Sequence, residues 1–192
     1  RGKHVTGVQT CALPIYFNIE GKRVLLRVDF NVPTNNGSIT ETSRIKKVLP
    51  TIKFLINKKA KIIIISHIGR PKGKIVPGLT LKPIAKKLSH YLNQNVVFLS
   101  ETIGLKVIQN SKKIPNGEIL LLENLRFNKE EELNTQSFAK ELSKIGDMYI
   151  NEAFSCSHRA HTSVCEITKH LDSFAGKQLV EEIGRASCRE RV

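Results

Sequence analysis

The stretch "IIIISHIGRPKGK" occupies residues 62–74 and changes character within two positions. Four consecutive isoleucines leave no polar face. They therefore predict a strand covered on both sides, as in a parallel sheet, rather than the alternating pattern of a half-exposed one. The run stops at His67, and Gly69, Arg70 and Pro71 follow, a turn that glycine permits and that carries polar and cationic side chains. In open parallel sheets ligands bind beyond the carboxyl ends of the strands. A strand that ends this abruptly in polar residues is read as one that opens onto a binding rim.

Four further runs favour strands, and most share this continuous apolar character: "KRVLLRVD" (22–29), "NVVFLS" (95–100), "EILLLEN" (118–124) and "DMYINEAF" (147–154). Between them lie helical patterns. In residues 41–58 the apolar positions Ile45, Val48, Leu49, Ile52, Leu55 and Ile56 mark one buried face, with a kink or local break expected at Pro50. Leu81, Ile84, Ala85, Leu88 and Leu92 form a second stripe capped by Thr80. Phe138, Leu142 and Ile145 form a third, and a weaker helix is expected over 101–111. Alternating strands and helices predict an α/β fold: a parallel, Rossmann-like sheet with helices on both faces and right-handed crossovers.

Length and composition agree with one domain of ordinary globular character, since 192 residues carry 40% hydrophobic and 25% charged residues. No apolar run reaches the roughly 18 residues of a membrane span, and no secretory leader is visible. Cys11, Cys156, Cys165 and Cys188 are too few and scattered for a disulfide scaffold. The cytoplasm is the compartment these features imply. The net charge of +14 points to an anionic partner. Residues 1–15 and 184–192 lack periodicity and turn chemistry and are read as a non-native leader and tail; the basic excess survives without them.

The strand ends deliver a consistent set. Asp29 and Asn31 follow the first strand, His67 and Arg70 the second, Arg126 follows "ILLLEN", and His158, Arg159 and His161 follow the last. Arg44, at the start of the first helix, is placed on the same side. Arginine grips phosphate or carboxylate oxygens with a planar fork and keeps its charge at neutral pH. Gathering such cations costs self-repulsion, so a shared anionic ligand is the economical explanation. His67 and His161, beside arginines, are read as phosphate donors rather than general bases.

The motifs "GKRVLLRVDFNVP", "SRI" after "GSITET", "SHIGRPKG", "LLLENLRFNKEEE" and "INEAFSCSHRAHTS", in this order, closely resemble the N-terminal domain of the phosphoglycerate kinase family over residues 16–183. The resemblance implies a glycolytic phosphotransferase that moves the acyl phosphate of 1,3-bisphosphoglycerate to ADP, giving 3-phosphoglycerate and ATP. It implies that Asp29, Phe30 and Asn31 hold the hydroxyl and carboxyl end of the substrate. His67, Ile68, Gly69, Arg70, Arg126 and Arg159 would surround the phosphate that stays, with His161 in support and Arg44 catalytic at the phosphoryl group in flight. Mg-ATP or Mg-ADP would bind mainly to a C-terminal domain that this chain lacks, as it lacks a GxxxxGK[ST] loop. The fragment is thus expected to bind the glycerate substrate, to be inactive alone, and to be monomeric like the family. "SFAGKQLVEEI" resembles the start of the interdomain helix, so Leu171, Phe174, Leu179 and Val180 are expected to form an apolar patch toward the absent half.

Two rival readings remain. A basic nucleic-acid-binding α/β module would account for the charge, although the lysines are scattered and aromatics are only 6% with no Trp. A zinc site could use Cys156, His158, His161 and Cys165, although their spacing is not a usual knuckle pattern. The family reading involves no metal site in this half, no nucleic acid and no membrane.

Overall fold

The computed structural model describes residues 17–35, 38–177 and 179–181. The expected leader at 1–15 and tail at 184–192 lie outside the described residues. In chain order the elements are β1 (Arg23–Arg27), β2 (Thr34–Asn35), β3 (Ser38–Ile39), α1 (Ser43–Asn57), β4 (Lys61–Ile65), α2 (Lys82–Leu92) and β5 (Val96–Leu99). There follow α3 (Leu105–Lys113), β6 (Ile119–Leu122), α4 (Lys129–Glu132), α5 (Gln136–Ser143), β7 (Met148–Asn151) and β8 (Ser173–Ala175).

Six strands form one sheet in the order β5-β6-β4-β1-β7-β8, all parallel, and β2 and β3 make a separate antiparallel ribbon. The isoleucine run explains the layering. Ile62 and Ile64 pack with Ile45, Ile52 and Leu55 of α1 and Ile84 and Leu88 of α2. Ile63 and Ile65 turn the other way, toward Val107 of α3 and Phe138 and Leu142 of α5. All four are fully buried, each worth about 1.5–3 kcal/mol of burial. Successive side chains alternate faces and both faces are covered, so neither parity of the strand could be polar.

Several expectations need correction. The strands are shorter than their apolar runs because the final residues peel away into the rim. Helix α1 runs unbroken through Pro50. Pro50 and Lys46 are both exposed, so the carbonyl that loses its intrahelical partner faces water. Leu81, not Thr80, takes the cap position of α2, and its N–H donates to Glu123 Oε1 at 2.9 Å. The Thr80 hydroxyl bridges, donating to Glu123 Oε2 at 2.7 Å and accepting weakly from the Lys82 N–H at 3.3 Å. Helix α3 begins only after Gly104, whose φ of 111° suits no other residue well. Phe174 and Leu179 are buried here, not left in an open patch, and the Phe174 ring meets Phe17 edge-on at 4.9 Å.

The Tyr149 side chain helps tie a long segment after β7 back to the sheet. The buried Tyr149 hydroxyl donates to the Ser163 carbonyl at 2.6 Å. Tyr149→Phe should leave that carbonyl unsatisfied and lower unfolding free energy by about 1–2 kcal/mol in urea titrations. An unchanged midpoint would show that water replaces the hydroxyl.

Candidate functional site

The rim lies where β6, β4, β1 and β7, four adjacent strands, end. From β1 the chain supplies Asp29, which accepts from the Asn31 N–H at 2.9 Å and from the Arg44 guanidinium and the Ser155 hydroxyl. Asp29, Arg44 and Ser155, with Ser43, Lys47, Glu152 and Phe154, line a cleft of about 210 Å³. A larger groove of about 640 Å³ runs along α2, past Lys82, Lys86, Lys87 and His90, away from these residues.

The turn after β4 is held on both sides of Gly69. Its N–H donates to Asn31 Oδ1 at 2.9 Å, and its carbonyl accepts from Arg126 Nη1 at 2.7 Å. Gly69 has φ of +64°, and a Cβ there would come within 2.8 Å of Leu79. Only glycine meets both conditions without strain. Phe30 and Ile68 bury their side chains in the core, so they offer only main chain to the rim. Arg70 is exposed and Arg159 half-buried, and neither side chain has an ion-pair partner among the described residues.

Arg126 is 2% exposed and incompletely satisfied. Glu132 lies 3.4 Å from its Nε, close enough for charge pairing but not aligned as a hydrogen bond, and Nη2 has no partner. Burial lowers the Arg126 pKa, as do Arg159 and Arg27, while Glu132 raises it. His161 Nδ1 is likewise buried without a partner. Buried donors without acceptors are rare because each costs desolvation energy.

Sequence reasoning missed the residue beneath them all. Arg27, inside the apolar run of β1, is fully buried; it donates from Nε to Ser163 Oγ at 2.9 Å, from Nη1 to the Val28 carbonyl, and pairs through Nη2 with His67 Nδ1 at 2.9 Å. Arginine only donates. His67 Nδ1 must therefore accept, which makes His67 a neutral imidazole with its proton on Nε2, 3.9 Å from Cys156 Sγ. Burial first, then the charges of Arg27, Arg126, His161 and Arg159, hold the His67 pKa well below the ordinary value. The same forces bring His161 down to about 4. Buried Glu131 answers Arg27 through Ser163, accepting from its N–H at 3.0 Å and its Oγ at 2.5 Å. Burial raises the Glu131 pKa, and the Arg27 charge works against that rise.

The zinc reading fails on geometry. Cys165 Sγ turns to the Arg159 carbonyl, Cys156 faces His67, and among the described residues no group of three or more His, Cys, Asp or Glu could hold a metal ion.

An all-parallel sheet covered by helices on both faces, with arginines and histidines gathered at one rim, defines an α/β protein of the doubly wound kind. The sequence model of the family described as phosphoglycerate kinase matches residues 16–188, and the chain belongs to that family. It is 51% identical over 168 residues to the phosphoglycerate kinase of Finegoldia magna, covering 86% of this chain and 42% of that protein. Against the enzyme of Wolbachia pipientis subsp. Culex pipiens it is 48% identical over 180 residues, covering 94% and 44%. Phosphoglycerate kinase from Coxiella burnetii superposes with a TM-score of 0.81 at 36% identity over 90% of this chain and 43% of that one. The Pyrococcus horikoshii enzyme gives 0.80 at 34% identity over 88% and 43%. The chain therefore spans under half the length of these relatives. These matches give no support to the nucleic-acid-binding reading. No helix among the described residues is long and apolar enough to cross a membrane.

The neutral histidines make stability depend on pH with a definite sign. The unfolded chain takes up a proton on His161 near 6.5, whereas the folded chain resists until about 4. Stability is therefore full above 6.5 and falls as pH drops toward 4, with His67 acting the same way and Glu131 opposing it. His161→Gln should flatten the decline in urea midpoints between pH 6.5 and 4. An unchanged slope would mean that this imidazole is not held neutral.

Proposed function

We propose that this chain is the glycerate-binding half of a phosphoglycerate kinase. The full enzyme would transfer the acyl phosphate of 1,3-bisphosphoglycerate to ADP, giving 3-phosphoglycerate and ATP, with the magnesium nucleotide held outside the residues described. The observation that carries the reading is Arg126, a buried guanidinium whose Nη2 has no partner, beside unpaired Arg159 and the partnerless Nδ1 of His161. A phosphate with several acceptor oxygens satisfies such donors together.

Each residue has a role in this reading. Arg126, Arg159, Arg70 and the Nε2–H of neutral His67 take the phosphate that stays, with Gly69 allowing close approach and His161 in support. Asp29 and Asn31 meet the hydroxyl and carboxyl end, while Phe30 and Ile68 contribute main chain. Arg44 faces the phosphoryl group in transit and gives up part of its pairing with Asp29 to do so. An acyl phosphate is an activated donor and a carboxylate needs no deprotonation, so the site works by positioning, charge neutralisation and exclusion of water. That suits a rim with arginines and no acid/base dyad. The same reading makes the enzyme a cytoplasmic monomer acting on small molecules, and this half inactive alone.

Calorimetric titration of the purified, folded chain with 3-phosphoglycerate should show saturable binding, weakened about 10- to 100-fold in Arg159→Ala, the worth of one or two charge-assisted hydrogen bonds. A folded chain that binds nothing would reject the half-site. In the longer two-domain enzyme, Arg44→Lys should lower turnover by about 100-fold, since a point charge replaces a fork. Turnover equal to the parent's would remove Arg44 from the catalytic role.

A further inference from the structure

Asn124 has no assigned part in the rim, yet its side chain is the best-connected group there. It is fully buried at the end of β6. Its Nδ2 donates to the Ile68 carbonyl at 2.8 Å and to the Leu79 carbonyl at 2.9 Å. Its Oδ1 accepts from the Arg126 N–H at 3.1 Å and, longer, from the Ile68 N–H at 3.4 Å. A primary amide has two donors and two acceptor lone pairs. All four are used, and all on main chain.

We infer that Asn124 is the positioning residue that sets the distance between the Gly69 turn and the Arg126 guanidinium, and so the shape of the phosphate subsite. The inference rests on the glycerate-binding reading for what the subsite holds, but not for the positioning itself. Three segments meet at this amide: the turn after β4 through Ile68, the segment entering α2 through Leu79, and the start of the Arg126 turn. Arg126 Nη1 closes the ring by donating to the Gly69 carbonyl. At its two ends the turn is tied to this segment by main chain, from the Leu125 N–H to the Ser66 carbonyl and from the Gly73 N–H to the Arg126 carbonyl, both at 3.1 Å; between them the ties are the Asn124 side chain and the ligand-facing arginine itself. When Nη2 and Nε engage an anion, the Asn124 side chain still fixes the middle of the turn, at Ile68, independently of the ligand.

No common replacement reproduces this. Aspartate keeps the two acceptor bonds but loses both donors and sets a carboxylate against two carbonyl oxygens. Alanine leaves four main-chain groups without partners in a place water does not reach. Asn128 provides the matched control. Its Nδ2 also makes two hydrogen bonds in the same region, to Thr102 Oγ1 at 2.8 Å and the Leu125 carbonyl at 3.1 Å, but it touches neither the Gly69 turn nor Arg126.

The experiment compares the parent chain, Asn124→Ala, Asn124→Asp and Asn128→Ala by hydrogen exchange of the segment 66–72 and by titration with 3-phosphoglycerate. The expected result is faster exchange in 66–72, unchanged exchange in β1, and affinity weakened at least about tenfold in both Asn124 variants, with Asn128→Ala matching the parent in both readouts. Protection and affinity retained in a folded Asn124 variant would overturn the inference. So would Asn128→Ala loosening the turn equally, or both Asn124 variants failing to fold, since either outcome makes the role structural. If the parent does not bind 3-phosphoglycerate, the glycerate-binding reading falls, and the exchange data alone decide the positioning.

Discussion

The guanidinium of Arg27 is the constraint around which the rest is arranged. A charge with no exposure is tolerated only when its donors are matched and a counter-charge is near. Here the matching draws in the Val28 carbonyl, His67 beyond β4, and Ser163 from the loop after β7, with Glu131 of α4 behind Ser163. Four pieces of chain, distant in sequence, must be correctly placed before that charge is accommodated. Removing one partner would leave a buried charge with an empty donor, which is why the network specifies one arrangement of the rim rather than merely adding to stability.

The network also decides the electrical character of the rim. Because Arg27 donates to His67, the imidazole closest to the arginines is neutral, and its remaining N–H is still a donor. Burial first, and then the same crowding of cations, keeps His161 neutral well below physiological pH. Charge at the rim is thus carried by guanidinium groups, which are delocalised and less strongly hydrated than ammonium groups. The imidazoles add hydrogen bonds without adding repulsion, which eases the cost of placing Arg126 and Arg159 together.

How far this was legible in the sequence follows from what each residue's neighbours reveal. Four of the five long strands showed as continuous apolar runs because both faces are buried, while the edge strand β5 was equally legible although it exposes Val97, and the four polar strand ends read from these runs belong to adjacent strands. Strand β8 was missed since "SFA" is too short to display a pattern, and the ribbon of β2 and β3 has only two residues a side. Arg27 and Glu131 were unreadable for a different reason: a charge in "LLRVD" or "NKEEE" looks solvated until the tertiary partner is known. Asn124 was hidden likewise, because its four bonds go to main chain, which leaves no trace in side-chain identity. Phe30 and Ile68 came into the site by motif, and their side chains turned out to be core.

The strand order carries a consequence for the birth of the chain. β1 precedes the other described strands in sequence but ends up between β4 and β7, and Arg23 finds Asp147 only 124 residues later. At about 5–20 residues per second of synthesis, one edge of the central strand waits roughly 6–25 s for its neighbour. During that interval the apolar heart of the sheet has a bare flank of backbone N–H and C=O groups, open to pairing with any passing strand. The sheet is thus built from one side, and a strand that ends at its centre is, for a time, its open edge.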